Sequence, residues 1–275
     1  MSVYVILGAG YTGQRVARAL EMRGERVVSL RATAGEAHRF DVLDASTYAQ
    51  LSRCVEAGAR VLYSLPVLRT PEGYRATAPL AAPLLAAAAR VVYLSTTGVY
   101  GETRQVDEQT APAPRHERER LRVDEENVLR TGPWSTLVLR SAAIYGPGRG
   151  VHEAMRQGRY RLPGDGTNLI SRIHVDDLAA HCLAALDAEL TGCFPVADEA
   201  PCAAGEIAAF CAELLDVPMP EFTERLPGDD TRRANRRVDG GAIRRALGIE
   251  LRYPGYRQGI PASLGSGRET TGSLR

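Results

Sequence analysis

Three glycines mark where this chain does chemistry. Gly8, Gly10 and Gly13, in the string Gly8-Ala9-Gly10-Tyr11-Thr12-Gly13, follow an apolar run (Val3, Val5, Ile6, Leu7) and open the helical pattern Gln14 to Arg23. In that setting the first glycine allows a tight turn and the second lets the backbone approach a pyrophosphate. The third lets helix and strand pack closely, with the phosphate on the helix N-terminus. The spacing predicts a dinucleotide site that includes Tyr11 and Thr12. An NAD site places an acid about 20 residues on, at the end of the second strand, to accept from the ribose hydroxyls. Here Val28-Ser29-Leu30 runs into Arg31, a residue suited to a bidentate contact with a 2′-phosphate. The expectation is NADP in preference to NAD. Asp41, in Phe40-Asp41-Val42, reads either as an acceptor for the adenine amino group at the end of a short third strand or as a turn residue.

Such a site needs a scaffold. Val3–Leu7, Arg26–Leu30, Arg60–Leu65, Arg90–Leu94 and Ser135–Leu139 alternate with helical patterns, which predicts an α/β fold of Rossmann type, a doubly wound parallel sheet. Beyond residue 146, Gly and Pro punctuation (Gly146-Pro147-Gly148, Pro163-Gly164-Asp165-Gly166, Pro218 to Pro220, Pro227-Gly228) separates helical patterns at Asp177–Leu186 and Ala204–Leu215. That texture predicts a smaller C-terminal substrate lobe. The expected division is a Rossmann domain over 1–145, with later contributions around 170–197, then a lobe over 146–262. Residues 263–275 hold little to bury and are expected to be a mobile tail.

Composition narrows the function classes. The 275 residues include 34 basic and 33 acidic side chains, a formal net charge of +1, so no global field favours nucleic acid or a membrane surface. The longest apolar stretch, Ala78 to Leu94, is broken by Pro79, Pro83 and Arg90 and falls short of the roughly 20 residues a bilayer needs. With no leader-like segment before the first strand, the expected location is the cytoplasm. Cys54, Cys182, Cys193, Cys202 and Cys211 form neither a CxxC pair nor a metal spacing, and read as reduced core thiols. All the basic residues are arginine, so any mechanism that needs a lysine is excluded.

Several strings in register resemble the short-chain dehydrogenase/reductase superfamily, in its extended and atypical branches of the NAD-dependent epimerase/dehydratase type. They are the Gly-rich turn, Tyr63-Ser64-Leu65-Pro66, Ser95-Thr96-Thr97-Gly98-Val99-Tyr100-Gly101 and Leu139-Arg140-Ser141-Ala142-Ala143-Ile144-Tyr145-Gly146-Pro147-Gly148. Arg172-Ile173-His174-Val175-Asp176-Asp177, Val196-Ala197-Asp198-Glu199 and Asn235-Arg236-Arg237-Val238 follow. The resemblance implies a nicotinamide cofactor along Asp41-Val42, Leu65-Pro66 and Ser95, and often a homodimer built from helices across a two-fold axis. It also implies a Ser or Thr that holds the substrate hydroxyl, which falls on Thr96, and a Tyr-x-x-x-Lys pair on the next helix for proton transfer.

That pair is missing. Counting from Pro112, the resemblance puts His116 at the Tyr position, Arg120 at the Lys position and Asp124 at the following acid. An imidazole, titrating near ~6.5, is a competent acid/base group, whereas a guanidinium supplies only fixed charge. The alternative reading makes Arg115–Glu126 a solvated helix face. By analogy Arg140, Arg149 and Arg172 face the cleft between the lobes, where extended members bind the phosphates of nucleotide sugars. Tyr100, Tyr145 and His174 read as structural. Two functions stay open: an NADP-dependent oxidoreductase or epimerase-like enzyme acting on a hydroxyl or carbonyl of a polar small molecule such as a nucleotide sugar, and a catalytically silent NADP-binding sensor or scaffold.

Overall fold

The computed structural model describes residues 2–33, 35, 38–224 and 234–265. Its centre is a parallel sheet of β1 (Val3–Leu7), β2 (Arg26–Leu30), β3 (Ala59–Tyr63), β4 (Ala88–Thr96), β5 (Ser135–Ser141) and β6 (Gly192–Val196). Their spatial order is β6-β5-β4-β3-β1-β2. A parallel sheet of this kind must be covered on both faces, and the alternation along β1 shows how. Val3, Val5 and Leu7 enter one core with Leu51, Leu85 and Leu129, while Tyr4 and Ile6 enter the other with Val16, Leu20 and Leu178. Pro195 lies on the outermost strand, where a missing N–H is tolerated.

Five longer helices matter for the site: α1 (Gly13–Met22), α2 (Glu117–Arg130), α3 (Val175–Asp187), α4 (Ala204–Leu215) and α5 (Tyr256–Gly265). α1 and α3 cover one face of the sheet, and α2 contributes to the other. The later residues divide between two tasks, since α3 and β6 complete the sheet unit while Tyr145, Met155, Leu162, Ile207, Cys211 and Ile260 form a core of their own. The two units are stitched by Ala143–Tyr145 lying parallel to Arg172–His174. Among the described residues no helix is long and apolar enough to cross a membrane.

Two sequence expectations need correction. The third strand expected at Phe40-Asp41-Val42 is a single bridge between Arg31 and Arg39. Phe40 and Val42 turn into the core, and Asp41 accepts a hydrogen bond from the Leu43 amide at 2.9 Å, so it is a turn residue. The second concerns the tail: α5 runs past Ser263, which is buried and donates to the Gly259 carbonyl at 2.6 Å. Residues 266–275 lie outside the described residues, as does Pro227-Gly228.

α2 also departs from a solvated helix. Arg122, Glu125, Glu126 and Leu129 are buried along one face. Glu126 and Arg140 form a buried pair, with Arg140 Nη2 donating to Oε2 at 2.6 Å and Ser95 Oγ donating to Oε1 at 2.6 Å. Glu125 accepts from the Thr77 amide (2.6 Å), the Thr77 hydroxyl (2.7 Å) and the Tyr93 hydroxyl (2.5 Å). These charges are tolerated inside because each oxygen has a donor.

Removing one member of a buried ion pair leaves the other uncompensated. Glu126→Gln should therefore lower the unfolding free energy by about 3–5 kcal/mol in urea titration. Asp198 is a second stability lever, for it is 2% exposed, one of its carboxylate oxygens has no partner, and burial pushes its pKa up to about 7. A folded pKa above the unfolded one means stability that is complete below the unfolded pKa and is lost as the pH rises through the folded value. Asp198→Asn should become progressively more stabilising between about pH 5 and about pH 8 in thermal melts.

Candidate active site

The Gly-rich turn takes its shape from close approaches. Gly8 has φ +95°, and a Cβ there would stand 2.9 Å from the Ser64 backbone. A Cβ on Gly13 would meet the Gly8 carbonyl oxygen at 2.7 Å and an Ile6 methyl at 3.0 Å, so helix and strand pack only with glycine at that position. A Cβ on Gly10 would meet nothing nearer than 4.0 Å and would instead fill the space that the turn leaves open. The turn is tied down by the Gly8 and Ala9 amides, which both donate to Leu30 at the end of β2, at 3.0 and 3.1 Å. This is a fitting cradle for a dinucleotide diphosphate, with the first amides of α1 at its edge.

A cleft of about 960 Å³ opens from this turn, over the C-terminal ends of the strands. Gly8, Gly10, Tyr11, Thr12, Pro66, Ser95, Thr96, His116 and Arg149 all line it. Gly13 packs behind it, Leu65 reaches it only through the carbonyl that accepts from Arg122 (3.2 Å), and Val42 is in the core. Arg31 is exposed at the end of β2, immediately after the residue that anchors the turn. Thr96 caps the turn that follows β4, its oxygen accepting from the Gly98 amide at 3.1 Å. Tyr11 is fixed by a 3.0 Å hydrogen bond to the Pro147 carbonyl and has the Arg15 and Arg149 guanidiniums over its ring.

Three of the expected arginines are elsewhere. Arg120 is exposed, bonds the Arg115 carbonyl at 2.6 Å, and is not among the residues lining the cleft. Arg140 is spent on Glu126 and on the Tyr100 hydroxyl (3.2 Å), and Arg172 is buried against the Ile170 carbonyl (2.8 Å) and the Cys202 sulfur (3.1 Å). Neither lines the cleft.

The cleft presents different cations instead. Arg118 and Arg122, one turn apart on α2, both line it, as does Arg236, which precedes a short strand paired with Gln105–Val106. The cause is helical phase: with Glu126 held inside, the residues four and eight earlier on the same side of the helix are Arg122 and Arg118. Arg122 Nη1 donates to the Tyr93 hydroxyl at 2.6 Å. Burial works against the Arg122 charge, but the facing Tyr93 and Glu125 raise its pKa, and burial also raises that of Tyr93. Arg236 donates to the Thr97 and Gly101 carbonyls. His116 caps the N-terminus of α2, its amide and that of Arg115 donating to Glu119 at 3.3 and 2.7 Å. Sequence reasoning missed Arg118 and Arg122, whose i,i+4 spacing was the available signal, and quoted Arg236 without giving it a place.

Comparison with known proteins agrees with this geometry. Residues 3–192 match the NAD dependent epimerase/dehydratase family. The 3-diazoavenalumate denitrifying reductase of a Streptomyces species is 30% identical, covering 94% of this chain and 99% of that protein. A conserved protein of unknown function from Silicibacter pomeroyi has a solved structure with a TM-score of 0.76 at 27% identity, covering 97% of this chain and 99% of that one. MoeE5 in complex with UDP-glucose and NAD shares the fold at a TM-score of 0.81 and 20% identity, over 98% of this chain and 99% of that one. A Gly-rich turn, a cleft over the strand ends and a match through most of the sheet lead to one assignment: the chain belongs to the NAD dependent epimerase/dehydratase family, whose members bind a nicotinamide dinucleotide.

Proposed function

We propose that the protein is an NADP-dependent oxidoreductase acting on a hydroxyl or carbonyl of a polar, negatively charged small molecule. The observation that carries this reading is the cleft itself, which joins the Gly-rich turn to Thr96 and His116 and, among the described residues, is lined by five arginines against two glutamates. In it the backbone at Gly8 to Thr12 receives the cofactor diphosphate, and Arg31 meets the 2′-phosphate. The nicotinamide, when bound, supplies or accepts the hydride. Thr96 holds the reacting oxygen: its own oxygen already accepts from Gly98, which leaves its proton to donate. His116, the one imidazole lining the cleft, exchanges the proton at that oxygen.

A nucleotide sugar is one molecule of the required kind, and the MoeE5 complex with UDP-glucose and NAD supports it by fold. The Streptomyces relative, named as a reductase, supports hydride chemistry. The cysteines described are all free thiols, in keeping with a cytoplasmic enzyme. A second reading, a catalytically silent NADP-binding sensor or scaffold, is favoured by the two arginines on the cleft face of α2, since a guanidinium does not exchange protons near neutrality.

Calorimetric titration tests the cofactor part. The wild type should bind NADPH more tightly than NADH, and Arg31→Asp should reverse that order; an unchanged preference removes Arg31 from the site. For catalysis, NADPH oxidation followed against a panel of nucleotide sugars and ketones should show turnover that His116→Ala lowers by about a hundredfold or more. Binding without turnover on the whole panel favours the silent reading.

A further inference from the structure

Charge in the cleft is unevenly spent. Of the two carboxylates that line it among the described residues, Glu102 is ion-paired with Arg115, and Glu119 accepts from the Arg115 and His116 amides. Arg122 has a counter-charge beneath it in Glu125, yet its Nε is buried without a partner. Arg236, 6% exposed, donates among the described residues to backbone carbonyls, which orient a guanidinium without neutralising it; Glu119 is the carboxylate that favours its charge, no hydrogen bond joins the two, and the Arg236 Nε is likewise without a partner. Arg118, half-buried, makes no hydrogen bond or ion pair among the described residues.

Like charges at i,i+4 repel, so Arg118 beside Arg122 is an electrostatic cost that no hydrogen bond or ion pair of Arg118 offsets among the described residues. A bound anion would offset it, and a planar guanidinium matches a carboxylate or phosphate with two parallel hydrogen bonds. Arg236 reaches the same wall, because the carbonyls it holds, Thr97 and Gly101, begin one residue after Thr96.

We propose that Arg118, with Arg236, forms an anion subsite beside Thr96 that binds a carboxylate or phosphate carried by the substrate. The substrate class is thereby narrowed to molecules with the anionic group close to the reacting oxygen. The proposal rests on the reading of the cleft as the substrate site, but not on which cofactor occupies it.

The test is calorimetric titration of benzoate, phenyl phosphate and neutral benzamide into the protein, with and without saturating NADPH. Wild type should bind at least one of the two anions and not benzamide. Arg118→Gln should weaken that binding about tenfold or more, as expected for losing one charge-assisted bidentate contact. Arg118→Lys should restore part of it, and Arg130→Gln, at the exposed far end of α2, should leave it unchanged. A response to benzoate alone identifies a carboxylate subsite, and to phenyl phosphate alone a phosphate one. Anion binding equal in wild type and Arg118→Gln, equal binding of benzamide, or no binding of either anion overturns the proposal. Failure of NADPH to bind overturns the cofactor reading instead, and the comparison of Arg118→Gln with wild type in cofactor-free protein then still decides the subsite.

Discussion

The buried carboxylates of α2 set the rotation of that helix, and the site depends on it. Glu126 is gripped by Arg140 from β5 and by Ser95 from β4, while Glu125 gathers Thr77 and Tyr93. A carboxylate out of water demands donors at fixed positions, so α2 can turn about its axis only by leaving charges unpaired. A hydrophobic face would have packed with more latitude, because apolar contacts are non-directional. The ionic face thus specifies which side chains one and two turns earlier meet the cleft.

That constraint explains what was legible in the chain and what was not. Alternating apolar runs and the glycines at 8, 10 and 13 are local signals, and the strands, the first helix and the Gly-rich turn followed from them. The ends of the elements moved by one or two residues, as expected where hydrogen bonding rather than residue type sets the boundary. The Phe40 to Val42 segment looks like a strand because its apolar residues are buried, but they are buried from a turn. Counting along a motif located the helix and put residues 116 and 120 at the cleft, of which His116 lines it and Arg120 does not. Only the long-range pairing of Glu126 with Arg140 reveals that Arg118 and Arg122 face inward while Arg120 faces out. Arg140 and Arg172 were placed at the cleft by analogy, and analogy says nothing about which guanidiniums have a carboxylate or carbonyl waiting inside the fold.

Backbone and side chains make different contributions to the cleft. The sheet unit supplies rigid backbone, in the Gly-rich turn and the cap after β4, where geometry is held by hydrogen bonds to neighbouring strands. From outside the sheet come long side chains, Arg149 beside Tyr11 and Arg236 across from α2. Rigid elements suit a constant ligand such as a cofactor, and longer side chains outside the sheet can be exchanged without disturbing it.

The late arrival of β6 bears on how the chain is made. β5 ends at Ser141, but its outer edge is paired only when Gly192–Val196 emerges from the ribosome. Throughout the synthesis of the intervening segment, Leu137 and Leu139 sit on a strand whose backbone groups have no partner on that side. Such an edge is a template for pairing with another chain. That edge stays open at a stage when the residues of the Gly-rich turn have long been made, and slow translation between those two strands would lengthen the exposure.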